Sequence, residues 1–201
     1  MSIIAPVRSG KTTLINNLLY NPDFGYKNIF TEGNIFVISP TITNDNSGRF
    51  ISDDPDITVI TEGLENLDEI IELIAESQKD KGDDKEQVLI ILDDCLGFLR
   101  KTGGFLNNFL SRYRHYKISL IVTSQHFKAL SVIQRLNTGY YIFFKSFNRK
   151  EQLAIEEEMS GSIPDFKDCY DLATDDKFSM LYVDLEKMKC YHNFQELLWE
   201  K

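Results

Sequence analysis

Near the start of the chain, Ser2-Ile3-Ile4-Ala5 is followed by Pro6-Val7-Arg8-Ser9-Gly10-Lys11-Thr12-Thr13, and Lys11 to Tyr20 then carries a helical pattern. A short strand, a tight loop and a helix in that order form an anion trap. Successive backbone N–H groups and the helix N-terminus point at one place and favour negative charge there. Gly10 lets the backbone approach the anion closely. Lys11 supplies a mobile cation. The hydroxyl of Thr12 can ligate a divalent metal ion. The spacing is that of the phosphate-binding P-loop, G-x-x-x-x-G-K-[ST], with Ala5 where the pattern has glycine. Alanine serves there if its φ stays negative. The expected ligands are ATP and Mg2+. Arg8, Ser9, Gly10, Lys11, Thr12 and Thr13 are the nucleotide-binding candidates, and Lys11 would reach the β- and γ-phosphates.

A second chemical group lies at Val88-Leu89-Ile90-Ile91-Leu92-Asp93-Asp94. An apolar strand that ends in acid is the magnesium arm of a P-loop enzyme, the Walker B motif. Asp93 and Thr12 are the expected metal-site residues, Asp93 acting through water. Asp94 is placed to orient or deprotonate the attacking water. A third group is Ile121-Val122-Thr123-Ser124-Gln125, where the Gln125 amide at a strand tip can sense the γ-phosphate or the lytic water.

These groups need a frame. Asn34–Ser39, Val88–Leu92, Ile118–Thr123 and Tyr140–Lys145 read as buried strands. Ile57–Ile60 reads as a short strand or an extended approach to a helix. Leu64–Ser77, Phe105–Tyr113 and Ala129–Leu136 read as helices, and Leu64, Leu67, Ile70, Ile71 and Ile74 show the helical spacing. Residues 43–56 and 79–86 are polar and read as loops. Phe178–Asp184 and Met188–His192 read as a terminal hairpin. Apolar strands alternating with helices indicate a mostly parallel sheet covered on both faces, with ligands at the carboxyl ends of its strands. The expected fold class is α/β, a RecA/ASCE-like P-loop NTPase. It would be a three-layer sandwich with a mostly parallel central sheet and a C-terminal β-hairpin, in one domain over residues 1–201.

Composition narrows the partners. The formal net charge is −9, against a generally basic nucleic-acid binder. Yet the stretch from Cys95 to Lys150 holds ten basic residues and no acidic one, leaving 12 basic and 31 acidic residues for the remainder. Such a reversal of sign suggests one anion-facing surface. Two segments within it combine cations with flexible or aromatic neighbours, Leu99–Gly104 and Phe144–Lys150, with Phe144 and Phe147 expected in the core. Cys95, Cys169 and Cys190 form no C-x-x-C pair, which fits a reducing compartment. The sequence has no apolar stretch of about 20 residues and no signal-peptide pattern, so no membrane partner is expected. No Asn-Lys-x-Asp guanine motif occurs, which favours ATP over GTP. The remaining alternative is another P-loop enzyme, such as a small-molecule kinase. The double aspartate and the lack of a compact arginine-rich lid weigh against it.

The order of motifs adds a resemblance. The P-loop, Ile38-Ser39-Pro40-Thr41, Asp93-Asp94, Arg114-His115, Thr123-Ser124-Gln125 and Arg135-Leu136-Asn137 together resemble the genome-packaging ATPases of large double-stranded DNA viruses and virophages, the poxvirus-type branch of the FtsK/HerA superfamily. The resemblance spans roughly Ile3 to Phe144. It implies a homo-oligomeric ring that pumps double-stranded DNA into a capsid, with backbone contacts to the DNA and a capsid or portal partner. It places the protein in the host cytoplasm, in a viral factory or at a capsid vertex. It also implies an extra strand between the two motif strands, an amide sensor at Gln125, and an arginine finger given to the neighbouring site. Arg114 is the first choice for that finger, with Arg112 and Arg135 as rivals. The catalytic set expected is therefore Lys11, Asp94, Gln125 and Arg114.

Overall fold

The computed structural model describes residues 1–30, 33–44, 46–98, 108–110 and 112–201. The Leu99–Gly104 segment and most of the helix expected over Phe105–Tyr113 lie outside the described residues. The chain divides into two compact units. One comprises Met1–Lys11, Thr123–Ser131 and Thr138–Lys201, and the other Thr12–Val122 and Val132–Asn137.

The second unit is built on parallel strands. β2 (Ile35–Ile38) pairs with β3 (Ile57–Ile60) on one side and with β4 (Val88–Leu92) on the other, and β4 pairs with β5 (Ile118–Ser124). All five side chains of β4 are buried. A strand with neighbours on both edges and cover on both faces must be apolar throughout. Each such aliphatic side chain contributes about 1.5–3 kcal/mol relative to exposure. The helix α1 (Lys11–Tyr20) buries Leu14, Ile15, Leu18 and Leu19. A short α2 (Tyr26–Ile29) follows. Helix α4 (Leu67–Asp80) buries Leu67, Ile71, Ile74 and Ala75 on one stripe, and a single 3-10 turn over Leu64–Asn66 leads into it. In the basic stretch, α5 (Val132–Leu136) is shorter than the sequence pattern suggests, because Phe127–Ala129 forms a separate 3-10 turn.

The polar residues 43–56 are not an open loop. They contain a four-residue helix, α3 (Arg49–Ser52), and are tied back to α1. Asn16 Nδ2 donates to the Ser47 carbonyl at 2.7 Å, and Tyr20 Oη donates to the Phe50 carbonyl at 2.8 Å. Lys27 bridges Asp54 and Asp56 at 2.5 and 3.0 Å. Gly48 sits so close to the Ile42 backbone that a Cβ there would lie 1.8 Å from the Ile42 carbonyl oxygen.

In the first unit, β1 (Ser2–Ile4) runs parallel to β6 (Tyr140–Phe144). From β6 the chain continues as an antiparallel meander through β7 (Met180–Asp184), β8 (Lys189–His192) and β9 (Glu196–Glu200). The expected hairpin is β7–β8, and β9 extends it by a strand. Two further helices, α6 (Arg149–Met159) and α7 (Phe166–Ala173), lie between β6 and β7, and α7 packs on β7 and β8. Tyr141, Phe143, Phe127 and Phe166 form an aromatic core, with Phe127 6.0 Å from Tyr141 and 6.1 Å from Phe143 between ring centroids. The Tyr170 hydroxyl bridges the end of β6, accepting from Ser146 N at 2.8 Å and donating to the Phe144 carbonyl at 3.1 Å. The three cysteines are buried thiols. Burial, with Cys169 alongside, pushes the Cys190 thiol up to about 12.

Because the obstacle at Gly48 is backbone, Gly48→Ala should destabilise the protein by about 2–3 kcal/mol. Urea unfolding would read this directly, and an unchanged midpoint would mean that the segment does not hold this close approach in solution.

Candidate functional site

The loop from Ala5 to Lys11 leaves β1 fully covered. Ala5 is completely buried, and its φ is not among the positive values, so alanine is compatible with this place. The Ala5 N–H donates to the Ser124 carbonyl at 2.9 Å. The carboxyl ends of β1 and β5 are thus fastened together within the first unit. β5 pairs with β4 through Val122 in the second unit and takes this bond at Ser124.

Beyond Ala5 the loop turns on itself. Ser9 N donates to the Pro6 carbonyl at 3.3 Å, and Ser9 Oγ donates to the same oxygen at 2.8 Å. Arg8, third in that turn, has φ 62°, and Gly10 has φ 95°. Both conformations suit glycine, and Gly10 meets the requirement. Arg8 adopts it against its side-chain preference. Val7 and Arg8 are exposed, whereas Ser9 and Gly10 are half-buried. Lys11 opens α1. Thr12 is half-buried and Thr13 exposed.

In the second unit, hydrogen bonds from the backbone, a serine and a cysteine hold the end of β4. Asp93 N donates to the Ile38 carbonyl at 2.9 Å, continuing the ladder one residue past the strand. Ser39 Oγ donates to Asp93 Oδ2 at 3.0 Å and itself accepts from Thr41 N at 3.3 Å. The Cys95 thiol reaches the Ile38 carbonyl at 2.9 Å and the Asp93 carbonyl at 3.2 Å. Asp93 is only 2% exposed, so its carboxylate has few orientations open to it. The next residue, Asp94, has φ 53°, a left-handed conformation that aspartate tolerates better than most residues. The chain changes direction there, and Asp94 stands half-buried where Asp93 is enclosed.

Gln125 and its neighbours belong to the first unit. Ser124 Oγ donates to the His126 carbonyl at 2.8 Å and accepts from His126 N at 3.1 Å. Phe127, anchored in the aromatic core, donates its N–H to Glu151 Oε1 of α6. His126 Nδ1 lies 3.5 Å from the other oxygen of Glu151. Gln125 itself is exposed on this fixed turn. Sequence reasoning missed Glu151, because nothing in its spacing from Gln125 announces a contact that exists only once α6 is folded. It also saw Ser39 as a mark of a family and not as the residue that orients Asp93.

Of the arginine candidates, Arg114 lies in a 3-10 turn over Tyr113–Tyr116, and its side chain is outside the described residues. Arg112 is exposed and Arg135, on α5, is half-buried. Phe144 is in the core as expected, but Phe147 is 89% exposed. It directly precedes Asn148, the N-cap of α6, whose side chain accepts from Lys150 N at 3.0 Å.

The residues fit a hydrated magnesium ion. Thr12 and Asp93 are hard oxygen donors, and one is a carboxylate oriented by a hydroxyl. Among the described residues no group of three or more His, Cys, Asp or Glu could enclose a metal by itself. An ion shared with phosphate oxygens, as magnesium usually is, needs no such cage. Among the described residues no helix is long and apolar enough to cross a membrane.

A parallel α/β sheet whose first strand feeds a glycine-containing loop and whose second motif strand ends in a fixed aspartate defines a P-loop NTPase. The model of the Poxvirus A32 protein family matches residues 1–183, and the chain belongs to that family, the poxvirus-type packaging ATPases. Among curated proteins none is significantly similar. Among solved structures, the genome packaging NTPase B204 of Sulfolobus turreted icosahedral virus 2, in complex with ATPγS, is similar at 16% identity. The match covers 95% of this chain and 94% of that one, with a TM-score of 0.67. The DNA-packaging ATPase B204 of Sulfolobus turreted icosahedral virus is similar at 18% identity over 100% and 95% of the two chains, TM-score 0.66. The pCW3 conjugation coupling protein TcpA, with ATPγS, is similar at 12% identity over 90% of this chain and 56% of that one, TM-score 0.61. At these identities the likeness is one of fold.

An arginine in the left-handed region costs roughly 1 kcal/mol that glycine avoids, part of which is returned by glycine's freedom when unfolded. Arg8→Gly should therefore raise the unfolding midpoint, by about 0.5–1 kcal/mol in chemical denaturation. A lowered midpoint would show that the Arg8 side chain holds the loop by contacts that outweigh its backbone cost.

Proposed function

We propose that this chain hydrolyses ATP to drive double-stranded DNA into a viral capsid, acting as one domain within a homo-oligomeric ring. The observation that carries the reading is the end of β4. There a buried aspartate is oriented by a serine hydroxyl, and a second aspartate turns away from it in a left-handed conformation. Family membership and the P-loop supply the context.

In this reading the backbone of Arg8 to Thr13 and the Lys11 ammonium hold the phosphates. Thr12, and Asp93 through water, would hold magnesium, which when bound would neutralise phosphate charge. Asp94 takes the proton of the attacking water as the bond to the γ-phosphorus forms. The bond to the leaving oxygen of ADP breaks on the opposite side. The Gln125 amide hydrogen-bonds the γ-phosphate or that water, and its rigid turn makes it responsive to whether the γ-phosphate is there. Arg114 of a neighbouring subunit supplies the planar charge that matches the transition state. The firing of one site then depends on the next subunit.

DNA contact would be to phosphates, since a packaging motor must ignore sequence. Lys145, Arg149 and Lys150 lie around the exposed Phe147 at the start of α6, and the three cations suit such contacts. α6 also holds the sensor turn through Glu151, so a pull on its first turn would be felt at Gln125. A capsid or portal protein would be the docking partner, in the host cytoplasm at a viral factory or capsid vertex.

Steady-state hydrolysis with and without linear double-stranded DNA tests this. Turnover should rise with DNA of any sequence, the stimulation should weaken as salt increases, and Lys11→Ala should lower turnover at least about 100-fold. Turnover indifferent to DNA, or transfer of phosphate to a small acceptor, would remove the motor from the reading.

A further inference from the structure

A residue far along the chain sits against the phosphate loop. Between α7 and β7 the segment Asp176-Lys177-Phe178-Ser179 makes a tight turn, closed by Ser179 N donating to the Asp176 carbonyl at 3.2 Å. Phe178, third in this turn, has φ 70°. A bulky aromatic residue in that region is strained, and glycine or asparagine would relieve it. The ring nevertheless gains little burial, for Phe178 remains 57% exposed. Neither turn chemistry nor core packing calls for phenylalanine here.

What the ring does touch is Gly10. A Cβ built on Gly10 would lie 3.3 Å from Phe178 Cδ1 and 4.0 Å from Cγ. One edge of the ring therefore faces the glycine just before α1. The Lys177 ammonium lies over the ring, 4.7 Å from its centroid. The ring thus has the loop beside it and a cation over one face, while the residue as a whole stays 57% exposed. Loop, ring and cation all belong to the first unit, so their arrangement is internal to it.

We propose that Phe178 is the stacking platform for the nucleobase of the bound nucleotide, with Lys177 beside it adding positive charge near the phosphates. The inference rests on the nucleotide reading of the P-loop. A nucleotide whose phosphates lie along Ser9 to Thr12 must put its base on a surface next to that loop. An exposed aromatic face offers dispersion and π-stacking with any base. The strained turn holds that face in place before the ligand arrives, so little ordering entropy is lost on binding. A methyl group on Gly10 would crowd the ring at 3.3 Å and shift it slightly, besides straining the φ of 95°.

The test compares ATP with inorganic tripolyphosphate, which carries the same phosphate chain without base or ribose. Both are titrated as magnesium salts by calorimetry against the wild type, Phe178→Leu, Phe178→Trp and Lys11→Ala. Leucine keeps bulk against Gly10 but cannot stack. Phe178→Leu should weaken ATP binding about 5- to 100-fold, the range expected when a base loses an aromatic partner, with tripolyphosphate affinity unchanged. Phe178→Trp should bind ATP at least as well as the wild type and report it by indole quenching. Equal loss of both ligands in Phe178→Leu would mean that the ring only packs the loop, and no loss of ATP affinity would mean that the base lies elsewhere. Either result overturns the platform while Lys11→Ala, losing both ligands, leaves the P-loop reading standing. A wild type that binds neither ligand would overturn both.

Discussion

The chemistry of this protein depends on where parallel strands end. A parallel ladder leaves its last carbonyls and N–H groups at one rim, and here that rim is made rigid by bonds that run past the strands. The Asp93 N–H takes the Ile38 carbonyl one step beyond β4. Ser39, one step beyond β2, turns its hydroxyl to the Asp93 carboxylate. At the other rim segment, Ala5 N binds the Ser124 carbonyl just beyond β1. A loop can present a phosphate site only if its entry is fixed, and Asp93, Asp94 and Gln125 each lie at or next to such a bond. The apolar strands behind the rim supply the stability that makes this fixation affordable.

Some of the positive-φ residues lie at the same places, while Lys117, Met188, Asn193 and Phe194 lie elsewhere. Arg8, Gly10, Asp94 and Phe178 all have positive φ, and each is adjacent to a group with a proposed chemical part. Only one of the four is glycine. The others keep a side chain in a conformation that disfavours it, which costs stability and aims the side chain. The buried aspartate followed by a left-handed, half-exposed one shows what this achieves. Two neighbouring carboxylates of one chemical type receive different surroundings, and so can serve different ends.

Much of this could be read from the residues. Val88–Leu92 is unbroken apolar sequence because β4 has neighbours on both edges and cover on both faces, so its strand type and its buried place are both visible. The same holds for Ile118–Thr123 and for Tyr140–Phe144. Less legible were elements held by few apolar contacts. The helix α6, with the sequence RKEQLAIEEEM, is anchored by Ala154, Ile155 and Met159 alone, and β9 lies at the edge of the meander with Leu197 exposed. Neither gives a clean period. Phe147 misled in the opposite sense: aromatic character suggests core, but the side chain stands in solvent just before the α6 N-cap. Glu151, Phe178 and the role of Ser39 were invisible because each acts across a long span of sequence, which one chain without its fold does not encode in any spacing.

The central claim is that the two aspartates after β4 divide the work, one holding the metal and the other activating water. Single-turnover hydrolysis, paired with direct measurement of ATP affinity, tests it in Asp94→Asn. The side chain keeps its size and can keep its place, but cannot take a proton. The account predicts ATP affinity close to that of the wild type and a hydrolysis step slowed by about 10²–10⁴-fold. An Asp94→Asn protein that hydrolyses ATP at the wild-type rate would contradict the division of roles and move the base elsewhere.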